Sequence, residues 1–152
     1  MRNLFFMSLL LLSGGPSTGD QVFIDPTGTY ILKGETRNNT IIGNTGELRV
    51  HLLDSFTVAF SLHLNKGYPG YESGTLMDTL RYEDNKVVYT PNTDSSCSIY
   101  FAFGRKSVEI FQTLTDPHSD CAFGPGVLKA AVYQKISSDI PVIQDLSGHG
   151  VL

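Results

Sequence analysis

Apolar and polar residues alternate along much of this chain, and the alternation predicts β-strands. Leu48, Val50 and Leu52 alternate with charged residues or histidine, and the pattern resumes over 56–64 after a short turn. Alternation with a period of two is typical of a strand with one buried face and one face towards solvent. The positions expected to face the core are Phe56, Val58, Phe60, Leu62 and Leu64, and those expected near solvent are Thr57, Ala59, Ser61 and His63.

The same pattern predicts about eight strands, nearly all joined by short turns. Their ranges are 28–33, 47–52, 56–64, 75–82, 87–90, 96–103, 106–113 and 127–135. Short connections favour antiparallel neighbours, and closing a sheet into a barrel removes its unpaired edges. We therefore expect an all-β antiparallel meander that forms a closed barrel, with the first and last strands meeting where it closes. A β-sandwich is the alternative fold.

The two ends of the chain differ from this pattern. Residues 1–19 combine Arg2, an apolar run over 4–12 and a small-residue exit, which is the layout of a secretory signal peptide. The apolar run is shorter than the ~20 residues that span a bilayer, so we expect no membrane span after cleavage. We expect a single β domain at 20–135 and an extended or disordered tail at 136–152, in a protein that is secreted or periplasmic.

The chain has two cysteines, Cys97 and Cys121. In an exported chain two cysteines most simply pair with each other, so we expect a disulfide. A metal site would need more soft ligands, and a catalytic thiol would need a base that the sequence does not indicate. The pair is therefore predicted to be structural.

The charge balance narrows the class of partner. The chain carries 11 Lys and Arg against 15 Asp and Glu, a formal net charge of −4, and it contains no basic run. Nucleic acid is therefore not an expected partner, because its phosphates are bound by clustered positive charge. A mildly acidic protein suits a basic extracellular or periplasmic protein as partner.

Tyr68, Pro69 and Tyr71 form a candidate protein-contact loop. Tyrosines on a glycine-rich loop offer a rigid contact area that is part apolar and part polar, at low cost in conformational entropy. The alternative is that both rings fold back and cover the mouth of the barrel.

Asp116, His118 and Asp120 form a second candidate, a polar site just before Cys121. Two carboxylates beside an imidazole can bind a metal or transfer a proton. The same composition is also typical of an ordinary polar turn, and this interpretation is favoured. No catalytic residue, metal ion or cofactor is predicted.

Several segments in chain order make up one pattern. A first cysteine opens an aromatic strand, a hairpin follows, and a second cysteine precedes a closing strand that contains tyrosine. The segments are 97–103, 108–112, 121–124, Val127 and 133–135, with 28–30 and 46–48 as opening strands. This pattern resembles a domain of small exported bacterial proteins, some of which are similar to periplasmic inhibitors of lysozyme. The order of the strands is also similar to that of lipocalin-type barrels.

The resemblance implies the fold and an exported location more than a function. Together with the acidic charge and the candidate contact loop, it favours a non-enzymatic binding module that inhibits a lysozyme-type cell-wall hydrolase. A carrier of a small hydrophobic ligand and a cell-surface structural protein are the alternatives, because an eight-stranded barrel can hold a ligand or be filled by side chains. Ala122 and Ala131 depart from the pattern, since each stands where glycine is usual. We expect alanine to be tolerated there if the backbone has a negative φ.

Overall fold

A computed structural model describes residues 22–144 of the chain. The expected signal peptide at 1–19 and the last part of the expected tail, 145–152, lie outside the described residues. Within residues 22–144 the chain forms ten β-strands and no helix. The strands are β1 Gly28–Leu32, β2 Glu35–Arg37, β3 Thr40–Ile42, β4 Thr45–Asp54, β5 Thr57–Asn65, β6 Ser73–Arg81, β7 Lys86–Tyr89, β8 Cys97–Phe103, β9 Ser107–Leu114 and β10 Ala131–Ser137.

Eight of these strands form one antiparallel sheet that is nearly closed into a barrel. Its strand order is β6-β5-β4-β1-β10-β9-β8-β7, while β2 and β3 form a separate two-stranded hairpin. The first and last strands pair with each other, and Tyr30 of β1 lies opposite Lys135 of β10. The prediction of an all-β antiparallel barrel is confirmed, and so is the meeting of its first and last strands.

The barrel is incomplete between β6 and β7, a gap that we call the open seam. The sequence predicts a hairpin here, with its turn at 83–86. The turn does form, because the backbone amides of Glu83 and Lys86 each donate a hydrogen bond to the other residue's carbonyl. Beyond this turn the two strands have no ladder, and each is an edge of the sheet. The predicted pairing of these two strands is wrong.

The barrel interior is filled by side chains. The aromatic rings of Phe60 and Phe101 pack there with their centroids 5.1 Å apart. Around them the interior space is too small to admit a water molecule. That space is lined by Leu48, Val50, Val58, Phe60, Val87, Phe101 and Phe103.

Two expectations for the strand now assigned as β5 are wrong. Phe56 lies in the turn before the strand and is 63% exposed, so it is not part of the core face. Ala59 and Ser61, expected near solvent, are buried. The chain after β10 returns to this side of the sheet, where Arg49, which is opposite Ser61 in the ladder, donates a hydrogen bond to the Val142 carbonyl. Val142 therefore lies beside Arg49 on the outer side of the sheet.

The last strand begins later than expected, at Ala131 rather than Val127. Val127 is buried, but its carbonyl and that of Gly126 accept hydrogen bonds from the Asn44 side chain. These backbone groups are satisfied without a strand partner. Val127 is therefore a buried residue of the loop before β10 and not part of the strand.

Candidate functional site

Three segments meet at one end of the barrel and build the candidate site. They are the β2–β3 hairpin, the loop at 66–72 that joins β5 to β6, and the loop at 115–130. We call the loop at 66–72 the tyrosine loop. The Tyr68 amide donates a hydrogen bond to the Ile41 carbonyl, which attaches this loop to the hairpin. The Lys66 ammonium group donates to the Pro125 carbonyl at 3.0 Å, which attaches it to the third segment.

The tyrosine loop is also closed by its own hydrogen bonds. The Lys66 amide donates to the Glu72 carbonyl at 2.8 Å, and the Tyr71 amide donates to the Gly67 carbonyl at 2.8 Å. The side chains of Lys66 and Glu72 form an ion pair at 3.0 Å across the base of the loop. A loop held in this way loses little conformational freedom when it binds a partner.

Gly67 allows the loop to approach the hairpin closely. Its φ is +70°, and a Cβ added there would lie 2.4 Å from the Gly43 carbonyl oxygen. Only glycine fits this combination of left-handed backbone and close contact. The glycine therefore sets where the following tyrosines are presented.

Both tyrosine rings of this loop face outwards. Tyr68 is 56% exposed and Tyr71 is 58% exposed, and their rings meet edge to face with centroids 6.1 Å apart. Pro69 is exposed between them, and Ile41 is 49% exposed on the adjoining hairpin. We call these four residues the tyrosine surface. The arrangement gives one apolar patch with phenol hydroxyls on it, which is typical of protein-contact loops.

Ile41 belongs to this surface, although the alternation of apolar and polar residues does not predict the hairpin that carries it. Its hairpin turns at Asn38 and Asn39, which have φ of 48° and 59°. Positive φ at both central residues is the geometry of a type I′ turn, for which asparagine is well suited. The Asn-Asn pair was the available signal for this hairpin.

The second candidate group occupies a polar turn. Asp116 accepts a hydrogen bond from the His118 amide at 2.9 Å, and Asp120 accepts one from the Ala122 amide at 3.0 Å. Both carboxylates therefore cap backbone groups of their own turn. Among residues 22–144, no three His, Cys, Asp or Glu side chains are grouped closely enough to hold a metal ion.

A disulfide joins Cys97, at the start of β8, to Cys121 in the third segment. Beside it, the Ser119 hydroxyl donates a hydrogen bond to the Asp94 carboxylate. The loop at 115–130 is therefore linked to the start of β8 and to the residues just before it by a disulfide and a hydrogen bond. Hydrogen bonds from Ser119 and Ser96 hold the pKa of the Asp94 carboxyl below its usual value. The disulfide therefore anchors the loop whose Pro125 supports the tyrosine loop.

Ala122 does not meet the condition of a negative φ under which alanine was expected to be tolerated. Its φ is 64°, in the left-handed region where a side chain costs energy, whereas Ala131 begins β10 and has no such φ. We expect Ala122→Gly to raise the free energy of unfolding by about 1 kcal/mol, because the strain is relieved.

Ala131→Gly is the matched control for that substitution, and urea unfolding measures both variants. Glycine within a strand costs about 0.5–1 kcal/mol, so this variant should be less stable than the original protein. Equal changes in the two variants would contradict the backbone assignment at Ala122.

Comparisons with protein-family models, with curated proteins and with solved structures found no significant match. In the described part of the chain there is no helical segment with the length and apolar character that a membrane crossing requires.

Proposed function

We propose that this protein is an exported, non-enzymatic binding module that contacts a partner protein through the tyrosine surface. The observation that carries the proposal is the outward presentation of Tyr68 and Tyr71 on a loop held by hydrogen bonds and an ion pair. Exposed tyrosines on a preorganised loop gain contact area at a low entropic cost. Export is supported by the disulfide, which is typical of oxidising compartments.

The filled barrel favours a surface contact over the carrier alternative. The interior around Phe101 does not admit a water molecule, whereas a drug-sized ligand needs a cavity of about 300 Å³ or more. Binding in the interior would require several core side chains to move apart. The exposed surface needs no such rearrangement.

The class of partner that we propose is a basic hydrolase of the lysozyme type. The formal net charge of −4 supports a basic partner, because opposite charges accelerate association. The resemblance of the C-terminal half to exported domains similar to lysozyme inhibitors supports the hydrolase. The test is to mix the purified mature protein with lysozymes of several families and to measure the lysis of cell walls. Inhibition of at least one enzyme is expected, and none at micromolar excess would exclude this partner class.

Removing the two rings should weaken binding strongly without affecting the fold. In Tyr68→Ala/Tyr71→Ala we expect affinity for the inhibited lysozyme to fall by at least about thirtyfold, as for central aromatic contact residues. Titration calorimetry measures the affinity, and thermal unfolding checks that stability is retained.

Phe56→Ala is the control for this double variant. Phe56 is 63% exposed in the β4–β5 turn, at the opposite end of the nine-residue strand β5 from the tyrosine loop. The substitution removes a ring that is about as exposed as those of Tyr68 and Tyr71. It should leave the affinity for the inhibited lysozyme unchanged. Equal losses in the two variants would show that the tyrosine surface is not the contact.

A further inference from the structure

The open seam leaves one long strand edge without a partner. β6 spans nine residues, Ser73–Arg81, whereas β7 spans only four, Lys86–Tyr89. The chain meets Pro91 shortly after β7, and proline cannot donate a hydrogen bond to a ladder. Most of the β6 edge therefore has no strand of this chain beside it among residues 22–144.

The direction of the β6 backbone groups follows from the turn at its end. The Tyr82 amide donates a hydrogen bond to the Phe56 carbonyl on the β5 side, whereas Glu83 bonds Lys86 on the opposite side. Because the sides alternate in an antiparallel strand and the β5–β6 register is continuous, the odd-numbered residues of β6 face the seam. No strand within residues 22–144 pairs with the backbone groups that these residues direct into the seam, although the Thr79 amide is bonded by the Asp78 side chain. The residues are Ser73, Thr75, Met77, Thr79 and Arg81.

The inner face of β6 contains a carboxylate where its neighbours are apolar. Asp78 lies opposite the buried Phe60 in the ladder, and Leu76 and Leu80 precede and follow it on the same face. Its side chain is half-buried and accepts a hydrogen bond from the Thr79 amide at 2.7 Å. The ion pairs found within residues 22–144 do not include Asp78.

Tyr89 faces this carboxylate from the other side of the seam. Burial raises the pKa of the Tyr89 phenol, and the negative charge of Asp78 raises it further. Tyr89 and Leu80 both pack against the core cluster, so the inner side of the seam is apolar around the Asp78 carboxylate. The outer side is lined by charged residues, among them Arg81 and Lys86. A ligand that fits the seam must supply backbone hydrogen bonds, apolar side chains and one positive charge.

We propose that the β6 edge binds an extended basic peptide segment of a partner protein as an added strand. One lysine or arginine of the segment would lie beside Asp78, and apolar residues two positions away would contact Leu76 and Leu80. The strand would use the backbone groups of β6 for affinity and Asp78 for selectivity, as in other recognition by strand addition. This edge is separate from the tyrosine surface, and the proposal does not depend on it.

A second copy of the chain is a poorer occupant of the same edge. Two β6 edges paired antiparallel about Asp78 would place two carboxylates opposite each other, at a Cα separation of about 4.5–5.5 Å. Like charges directly opposite in a ladder are destabilising, and a charge on the inner side of an edge strand is a known protection against self-pairing. Asp78 therefore disfavours self-association and selects a cation.

The test uses two fluorescein-labelled peptides with blocked ends, STVTKTVTS and STVTETVTS, which differ only in the charge at the centre. Fluorescence anisotropy measures their binding to the full mature protein. We expect the lysine peptide to bind at least about tenfold more tightly than the glutamate peptide. Amide hydrogen exchange should show new protection at Met77 and Arg81, whose amides face the seam.

Asp78→Asn keeps the shape of the side chain and removes its charge, so it should abolish the preference for the lysine peptide. Asp54→Asn removes an exposed charge at the end of β4, and this control should keep the preference. No binding at about 1 mM peptide, equal affinities for the two peptides, or protection confined to other strands would overturn the proposal. A stable dimer of the unmodified protein with protected β6 amides would also overturn it.

Discussion

Replacing Phe101 with alanine should lower the free energy of unfolding by about 3–5 kcal/mol. Phe101 is 1% exposed, and its ring packs against that of Phe60 in an interior that admits no water. The substitution removes the buried ring and leaves a cavity that the surrounding strands fill only in part. Urea unfolding followed by circular dichroism measures the change.

Phe111→Ala is the matched control for this variant. Phe111 lies on β9, the strand next to Phe101, but its ring stacks on Tyr100 outside the core cluster, with centroids 5.0 Å apart. Because it is half-buried, its loss should cost about 1–2 kcal/mol. Similar losses in the two variants would mean that the barrel interior is not the main source of stability.

Removing the disulfide should lower the free energy of unfolding by about 3 kcal/mol. Cys97 and Cys121 are 24 positions apart, and a closed loop of this length restricts the unfolded chain by about that amount in the chain-entropy model. The double variant Cys97→Ala/Cys121→Ala tests this without leaving a free thiol. For a domain of this size the loss corresponds to a fall in Tm of about 10–15 °C.

The reduced form of the unmodified protein provides the control. It should unfold within about 1 kcal/mol of the double variant, because both lack the same covalent link. Thiol titration of the untreated, denatured protein should detect no free thiol. Free thiols in that sample, or equal stability with and without the link, would contradict the structural role of the pair.

Alternation predicted the strands well where one face of a strand is in the core. Val58, Phe60 and Leu62 all face the core as expected, because only that register buries them together. Phe56 continues the same alternation, yet it lies in the turn and is exposed. The pattern of side chains alone does not show where the chain reverses.

The burial of Ser61 and the late start of β10 occur where distant segments are in contact. The periodicity of neighbouring residues does not reveal such contacts. Ser61 is buried on the outer face of the sheet, and next to it Arg49 donates a hydrogen bond to the carbonyl of Val142, which comes much later in the chain. The carbonyl of Val127 is bonded by Asn44, so this residue leaves the predicted strand. Both places carry hydrogen bonds between distant residues, which no window of neighbouring residues shows.

The open seam is the feature that local reasoning missed most clearly. Turn residues at 83–86 correctly predicted a reversal, since Asp84 and Asn85 adopt the positive φ of a hairpin turn. Whether strands continue to pair after a turn depends on the closure of the whole barrel. Here β1 and β10 pair at the ends of the chain, and the gap falls in the middle.

The sequence identified part of the candidate site. Tyr68 and Tyr71 were singled out by residue type, but their exposure depends on the contacts of the loop with the hairpin and with Pro125. Ile41 was missed because its short hairpin lies outside the main sheet. Residue types suggested the chemistry of the surface, and tertiary contacts determine its shape.

Amide hydrogen exchange of the complex with an inhibited lysozyme tests the central claim most directly. The account predicts new protection at 41–42 and 67–73, where the tyrosine surface lies. Amides of the β4–β5 turn, at the opposite end of β5, should exchange as in the free protein. Protection at that turn with none in the tyrosine loop would contradict the account.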